Sequence, residues 1–455
     1  MNPGRVAAFE RLTRLAEAFP RLDPPREALP AMDGRDAALA HSIERLVVRR
    51  WLTLQPLLER QLTRPWERVE AGVRAALLGG AAQLFLMDRV PEHAAVAETV
   101  EWAKRSLRPG SSGMVNAVLR GLAGMRLERL DAAAVSGGKL DDRALLPLED
   151  GGAWRLREPI FGDAAPDRLS QRSGVPLGLL LRWINRFGHA NASDLAMHTL
   201  MPAPLVVHGL PAGLSGTAPI PGLDAVVWEG EHAGLVEAMG AHPGARVQDA
   251  ASAMAVAMTA ELRPAVIVDA CAGRGTKSLQ LAALHPQARV VASEPDADRR
   301  RSLHETAARG ARAGIRVEVA EGEASRGLLG TADLLVLDVP CSNTGVLPRR
   351  AEAMHRFSPR SLDSLVQLQR RILEEHLPLL RPGGAILYAT CSVEPEENER
   401  QIAWIAGRVR TATPRTERRM PEGLPGEPAS RYRDGAFAAL LTDVHPKGPT
   451  DGAAR

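Results

Sequence analysis

The sequence contains no uninterrupted apolar run approaching the ~18 residues that a membrane-spanning helix needs. Its opening, MNPGRVAAFERL, spreads charges where a secretory signal would carry an apolar core. A cytoplasmic protein that makes no use of a membrane is the expectation. Cysteine is scarce: Cys271, Cys341 and Cys391 stand 70 and 50 residues apart, so no Cys-x-x-Cys clip and no disulfide framework can be read from them. No metal is expected, and each cysteine has to be explained singly. Lysine is scarcer still against arginine, 4 to 53, which reflects genome composition and is no RNA-binding signal by itself, but it makes every retained lysine informative. The phosphate-cradling pattern GxxxxGK[ST] is absent, which argues against a P-loop nucleotide site.

What is present is a globular composition, 45% hydrophobic and 24% charged. At roughly 150 residues per domain, the length of 455 predicts about three domains. Residues 1–126 hold 19 basic against 14 acidic side chains and the remainder 38 against 40, so the positive excess sits at the N-terminal end and hints at a polyanionic partner. Apolar residues there recur every three or four positions, as in IERLVVRRWLTLQPLLERQL and VRAALLGGAAQLFLM, which predicts an all-α bundle over 1–126. Residues 127–165 lose the periodicity, carry two Gly-Gly pairs and read as a linker. A mixed stretch, 166–246, reads as a small subdomain preceding the last domain, 247–455.

In that last domain short β-branched runs alternate with helical stretches. AVIVDA ends at Ala270, RVVASE at Glu294, IRVEVAEGE at Glu323, LLVLD at Asp338 and AILYAT at Thr390. Such alternation predicts an α/β fold with a parallel, doubly wound sheet that binds ligands beyond the carboxyl ends of its strands. The first run leads into DACAGRGTKS, where Gly273 and Gly275 allow a tight turn at a helix start. Glu294 follows Asp269 by 25 residues, close to the spacing at which a carboxylate grips ribose hydroxyls. With Glu323 and Asp338, three successive strands end in carboxylates. An acidic rim suits a ligand carrying a sulfonium, an amino group and a ribose, such as S-adenosylmethionine, better than a pyrophosphate. Cys341 and Cys391 both fall where a strand leaves the sheet, in DVPCSNTGVL and YATCSVEPEEN.

DACAGRGTKS, VLDVPCSNTG and YATCSVEPEENERQI, in this order and spacing, resemble the three signature motifs of the RNA cytosine-5 methyltransferases. VPEHAAVAETVEWAK and GMVNAVLR resemble the NusB-like RNA-binding domain fused ahead of them in the RsmB/Sun family of small-subunit ribosomal RNA methyltransferases, while VQDAASAMA and RDGAFAALL resemble its core entry and last core strand. The likeness runs from about residue 5 to 441. It implies a Rossmann-like S-adenosylmethionine-dependent methyltransferase sheet behind a NusB-like bundle, working on small-subunit ribosomal RNA; a monomer is the separate expectation. It further implies Cys391 as nucleophile, Cys341 as the group assisting enzyme release, and Asp338 beside the base. For the cofactor it implies Cys271, Ala272, Gly273, Arg274, Gly275, Thr276, Lys277, Glu294, Glu323 and Asp338. The chemistry is consistent: carbon 5 of cytosine is a poor nucleophile until a thiolate adds to carbon 6.

The sequence departs from the family at several points. Arg274 and Thr276 replace a proline and a glycine, Glu323 an aspartate, Asn343 a glycine and Ala436 a phenylalanine. Thr276 puts close backbone approach in question. Two other readings stand beside the first: a non-catalytic RNA-binding or assembly factor on a methyltransferase scaffold, and a methyltransferase acting on transfer RNA.

Overall fold

The computed structural model describes the chain apart from residues 24–26, 136–141, 212, 321–326 and 448–455, with Pro446 described in its backbone only. The chain divides into two compact units. The first comprises Met1–Pro202, Leu347–Ser358 and Gly423–Glu427, and the second Ala203–Val346, Pro359–Glu422 and Pro428–Arg455.

The first unit opens with five helices, α1 (Pro3–Ala18), α2 (Gly34–Glu59), α3 (Ala71–Leu86), α4 (Glu92–Ser106) and α5 (Ser111–Met125). Asn2 and Asp33 cap α1 and α2 by accepting from the otherwise orphaned amides of Arg5 (3.1 Å) and Asp36 (2.7 Å). The apolar stripes close over Phe9, Leu12, Trp51, Leu54, Phe85 and Leu119, all buried. The Gly79-Gly80 pair lies inside α3 because a Cβ at Gly79 would meet the Phe9 ring at 2.5 Å and one at Gly80 would meet Leu119 at 2.8 Å.

Residues 127–165 are not the irregular linker that their Gly-Gly pairs suggested. They carry most of a three-stranded antiparallel sheet, β1 (Arg126–Leu130), β2 (Leu145–Pro147) and β3 (Ala153–Leu156), in the order β1-β3-β2, with a short helix α6 (Ala132–Val135). Strands of three to five residues are too short for alternation to register in the sequence. Trp154 donates its indole N–H to Phe85 O at 3.1 Å, and the Arg126 guanidinium covers its ring at 5.0 Å, which seats the sheet on α3. Helices α7 (Ala165–Ser173), α8 (Leu177–Phe187) and α9 (His189–His198) follow within the same unit. The sequence reading grouped them with residues up to 246. Their helical patterning alone cannot say what they pack on; α7 lies so close to α2 that a Cβ at Gly174 would stand 2.3 Å from Arg49 O.

The second unit begins with a four-stranded antiparallel sheet, β4 (Leu205–His208), β5 (Thr217–Pro219), β6 (Val226–Trp228) and β7 (Arg246–Val247), in the order β5-β6-β4-β7, with α10 (His232–Ala241) between β6 and β7. Helix α11 (Ala250–Ala257) leads into the main sheet. There β8 (Val266–Asp269), α12 (Thr276–Leu284), β9 (Arg289–Ala292), α13 (Ala297–Ala311), β10 (Glu318–Val319) and β11 (Ala332–Asp338) run as βα repeats. Helix α14 (Ala351–Arg356) belongs to the first unit, and α15 (Pro359–His376), β12 (Leu380–Thr390), α16 (Glu399–Arg408), β13 (Val409–Arg410), β14 (Arg415–Arg419) and β15 (Ala436–Pro446) complete the second.

The strand order β10-β9-β8-β11-β12-β15-β13, with β14 also on β15, bears out the expected α/β sheet. Strands β8 to β12 are parallel and β15 is antiparallel. Leu335, Leu337, Ile386 and Tyr388 face one core, and Leu334, Val336, Ala385 and Leu387 the other, so these strands are apolar on both faces, as a covered parallel sheet requires. The chain runs outward from β8 to β9 and β10, then returns to place β11 on the other side of β8, which makes the β8/β11 junction the topological switch point. The third strand is only Glu318–Val319, and Glu323 lies outside the described residues. Leu335→Ala, which hollows the sheet's centre, is expected to lower unfolding free energy by about 2–5 kcal/mol in urea titrations.

Candidate active site

The parallel register of β11 and β12 sets Asp338 beside Ala389, and Val339 donates its amide to Ala389 O at 3.1 Å. Two loops therefore leave the sheet side by side, one carrying Cys341 and the other Cys391. Their sulfurs lie 3.2 Å apart, although fifty residues separate them. Cys341 is buried and Cys391 half-buried. The hydrogen bond with Cys391, burial, and the charges of Cys391 and Glu397 together push the Cys341 thiol well above its ordinary range.

Both loops hang on the segment between β12 and α16. Glu397 is fully buried; one carboxylate oxygen accepts from Ser342 N and Gln369 Nε2, each at 2.9 Å, and the other accepts from Ser342 Oγ at 2.5 Å. Tyr388 donates its hydroxyl to Glu397 O at 2.7 Å. The next residue, Asn398, accepts from Thr390 Oγ1 at 2.6 Å and donates to Ser392 O at 2.9 Å. One residue thus secures the Pro-Cys-Ser loop and its neighbour secures the Thr-Cys-Ser loop. Ser342 Oγ, Ser392 Oγ and Thr344 Oγ1 close the gap with mutual contacts of 3.0–3.2 Å. Burial raises the Glu397 carboxyl above its usual range, against the four hydrogen bonds that stabilise its charge. Gly345 is packed so that a Cβ would meet Gly435 O at 2.7 Å and Cys391 O at 2.8 Å.

At the switch point Lys277 donates to Asp338 Oδ2 at 2.7 Å. Burial opposes the ammonium's charge, but Asp338, with smaller help from Cys391 and Asp269, more than offsets it and holds the amine above its ordinary value. The turn before α12 takes left-handed backbone at Gly273 (φ +57°) and Gly275 (φ +84°), both of which glycine satisfies. Thr276 is already the first residue of α12, so the β-branched side chain falls where no left-handed turn is needed. Ala272 is buried and Arg274 exposed. Glu294, buried, accepts from Gly273 N at 3.0 Å and pairs with Arg299 at 2.9 Å, bracing that turn. Cys271 is half-buried beside Asp269, Asp338 and Glu294; burial first, then those carboxylates, push its thiol up, which leaves it a poor nucleophile.

The structure therefore brings Cys341, Cys391, Asp338, Lys277, the 271–277 turn and Glu294 to one edge of the sheet. Residues that the sequence reading passed over are Asp269, Ser278, Ser342, Asn343 as a contact, Gln369, Glu397 and Asn398. The Glu-Glu-Asn run behind Thr-Cys-Ser was the available signal, but acidic runs after a strand are usually solvated, and burial is not visible in sequence.

A family profile for the 16S rRNA methyltransferase RsmB/F matches residues 257–423, and one for the NusB family matches residues 5–124. Ribosomal RNA small subunit methyltransferase B of Cronobacter sakazakii is 30% identical over 442 residues, covering 95% of this chain and 96% of that protein. The chain belongs to the ribosomal RNA small subunit methyltransferase B family. The Enterobacter member is 29% identical over 449 residues, covering 96% and 97%. The crystal structure of PH0851 shares the fold, with a TM-score of 0.67 at 18% identity over 97% of this chain and 99% of that one. As a family member the chain is an RNA methyltransferase with S-adenosylmethionine as its cofactor. Among the described residues no helix is long and apolar enough to cross a membrane.

Asp269, fully buried, accepts from Ser278 Oγ at 2.6 Å. Burial raises its carboxyl from 3.8 to about 6, so the folded chain binds the proton more tightly than the unfolded chain. The contribution to stability is greatest below pH ~4 and is lost as pH rises through ~6. Asp269→Asn, which mimics the protonated acid, is expected to match the parent's urea midpoint at pH 4 and to exceed it at pH 8 by the equivalent of about 1–3 kcal/mol. Gly345→Ala is expected to displace the Cys391 loop and to cut turnover by at least about tenfold in a methyl-transfer assay, because a 1 Å misplacement costs that much or more.

Proposed function

We propose that the chain methylates carbon 5 of a cytosine in small-subunit ribosomal RNA through a transient bond from Cys391 Sγ to carbon 6. The observation that carries this reading is the 3.2 Å pair of sulfurs beside the Lys277–Asp338 ion pair at the switch point. Gly273 has open space where a Cβ would stand, and Glu294 and Asp338 offer carboxylates for hydroxyls and positive charge, so the residues present fit S-adenosylmethionine. The 271–277 turn, Glu294 and Asp338 would hold it, with Glu323 as a further candidate. When bound, it supplies an electrophilic methyl group that carbon 5 takes up.

Cys391 thiolate forms the S–C6 bond, and the ring's displaced electron pair makes carbon 5 nucleophilic. Asp338, near the base, favours protonation at N3 as the thiolate adds. After methylation carbon 5 still carries its hydrogen. The Cys341 thiolate, its own proton having first passed to solvent, takes that proton, the electron pair re-forms the C5–C6 double bond, and the S–C6 bond breaks to return Cys391. Cytosine thus exchanges one hydrogen for a methyl group and one proton is released. The N-terminal helices would hold RNA mainly through phosphate contacts of their arginines, in the cytoplasm where ribosomal subunits are assembled. The target base has to be turned out of its stack to reach Cys391.

Methyl-labelled S-adenosylmethionine and protein-free small-subunit RNA test the reading. The parent is expected to label carbon 5 of one cytosine, Cys391→Ala to lose turnover by on the order of 10³ or more, and Cys341→Ala to accumulate a covalent RNA adduct. An adduct that forms without Cys391 reverses the two roles, and label on another atom rejects the chemistry.

A further inference from the structure

Asn343 is one of two non-glycine residues among those described with left-handed backbone, at φ +60°. Asparagine tolerates this region better than most residues but not without cost, and such strain persists where the surroundings enforce it. Its side chain spans the two cysteine loops. Nδ2 donates to Cys341 O at 2.8 Å, and Oδ1 accepts from Cys391 Sγ at 3.3 Å. The amide's orientation follows from its partner: a backbone carbonyl can only accept, so the NH2 end must face Cys341 O and the oxygen is left facing Cys391. The backbone N–H of the same residue also bonds to Cys341. A single residue therefore touches both sulfur-bearing residues, at a position where a glycine would satisfy the backbone and offer no such contact.

We propose that Asn343 is a positioning residue, whose carboxamide aims the Cys391 thiol and ties it to the Cys341 loop before attack on the base. The proposal rests on the reading of Cys391 as nucleophile. A half-buried thiol has several rotamers and only the one directed into the crevice can reach carbon 6 of a base. The Oδ1 contact selects among them by accepting the S–H, while the Nδ2 contact keeps the acceptor from swinging away. An amide oxygen accepts and cannot bond a bare thiolate, so the contact has to be given up when the thiolate forms. The other groups facing the two sulfurs are Cys341 on the neighbouring loop, the Lys277 ammonium of α12 with Asp338 at the end of β11, and Glu397 behind Cys341. They are common to parent and variants, so a difference between these reports on position 343.

Asn343→Gly separates the two roles of the residue, since glycine keeps the left-handed backbone and removes only the carboxamide. Its kcat for RNA methylation is expected to fall about tenfold with the RNA KM unchanged, and its thermal stability to equal or exceed the parent's. Iodoacetamide labelling of Cys391, followed by peptide mass mapping without RNA, gives a second readout that does not depend on the substrate. At one fixed pH the labelling rate is expected to rise in Asn343→Gly, which frees the thiol from its acceptor, and to fall in Asn343→Asp, which places a carboxylate against the sulfur. Parental kcat together with a parental labelling rate in Asn343→Gly overturns the proposal and leaves Asn343 a tolerated replacement for glycine. Shifted labelling in a protein that methylates no RNA would instead sink the reading of function while the contact at Cys391 stands.

Discussion

The site depends on one pairing, that of β11 with β12. Parallel strands in register end at the same level, so whatever follows Asp338 must emerge beside whatever follows Thr390. That pairing brings two cysteines that are fifty residues apart in sequence to the same edge of the sheet, where they lie 3.2 Å apart. Neither loop is held by strand pairing once it leaves the sheet. The task passes to Glu397 and Asn398, whose buried side chains bond polar groups of both loops. Leaving such groups unpaired in the interior would cost about 1–3 kcal/mol each, which is what makes the arrangement rigid.

The surroundings of the three thiols differ. Cys271 sits among carboxylates and is kept protonated. Cys341 is buried, bonded to another sulfur and backed by Glu397, which makes it a thiol that loses its proton reluctantly and takes one readily. Cys391 is the more accessible of the bonded pair, and its neighbour in charge is the Lys277 ammonium. Asp338 holds that ammonium in place. The scarcity of lysine in this chain fits such a use, because a compact ammonium fills a space that a planar guanidinium would not.

Much of the architecture was legible in the sequence. The βα alternation predicted the parallel sheet, and its strand ends fell within a few residues of those observed for β8, β9, β11 and β12. The small sheet at 126–156 was not legible, because strands of three to five residues carry no usable period and their partners lie across gaps. Nor was the grouping of α7 to α9, since a helix's pattern shows which face is buried and not what buries it. The departure at Thr276 looked like an obstacle in sequence, yet the two positions that need left-handed backbone are Gly273 and Gly275, and both are glycines.

The sequence by itself determined the class of chemistry. Which residue types occur, in what order, and with what local period are properties of the chain, and they sufficed to single out the two cysteine motifs, the glycine turn, Lys277, Glu294 and Asp338. Only the tertiary structure decided the distances: the contact between the sulfurs, the burial of Glu397 and the reach of the Asn343 amide to both cysteine loops. Those depend on segments far apart in the chain being brought within a few ångströms, and no local pattern encodes a separation across space.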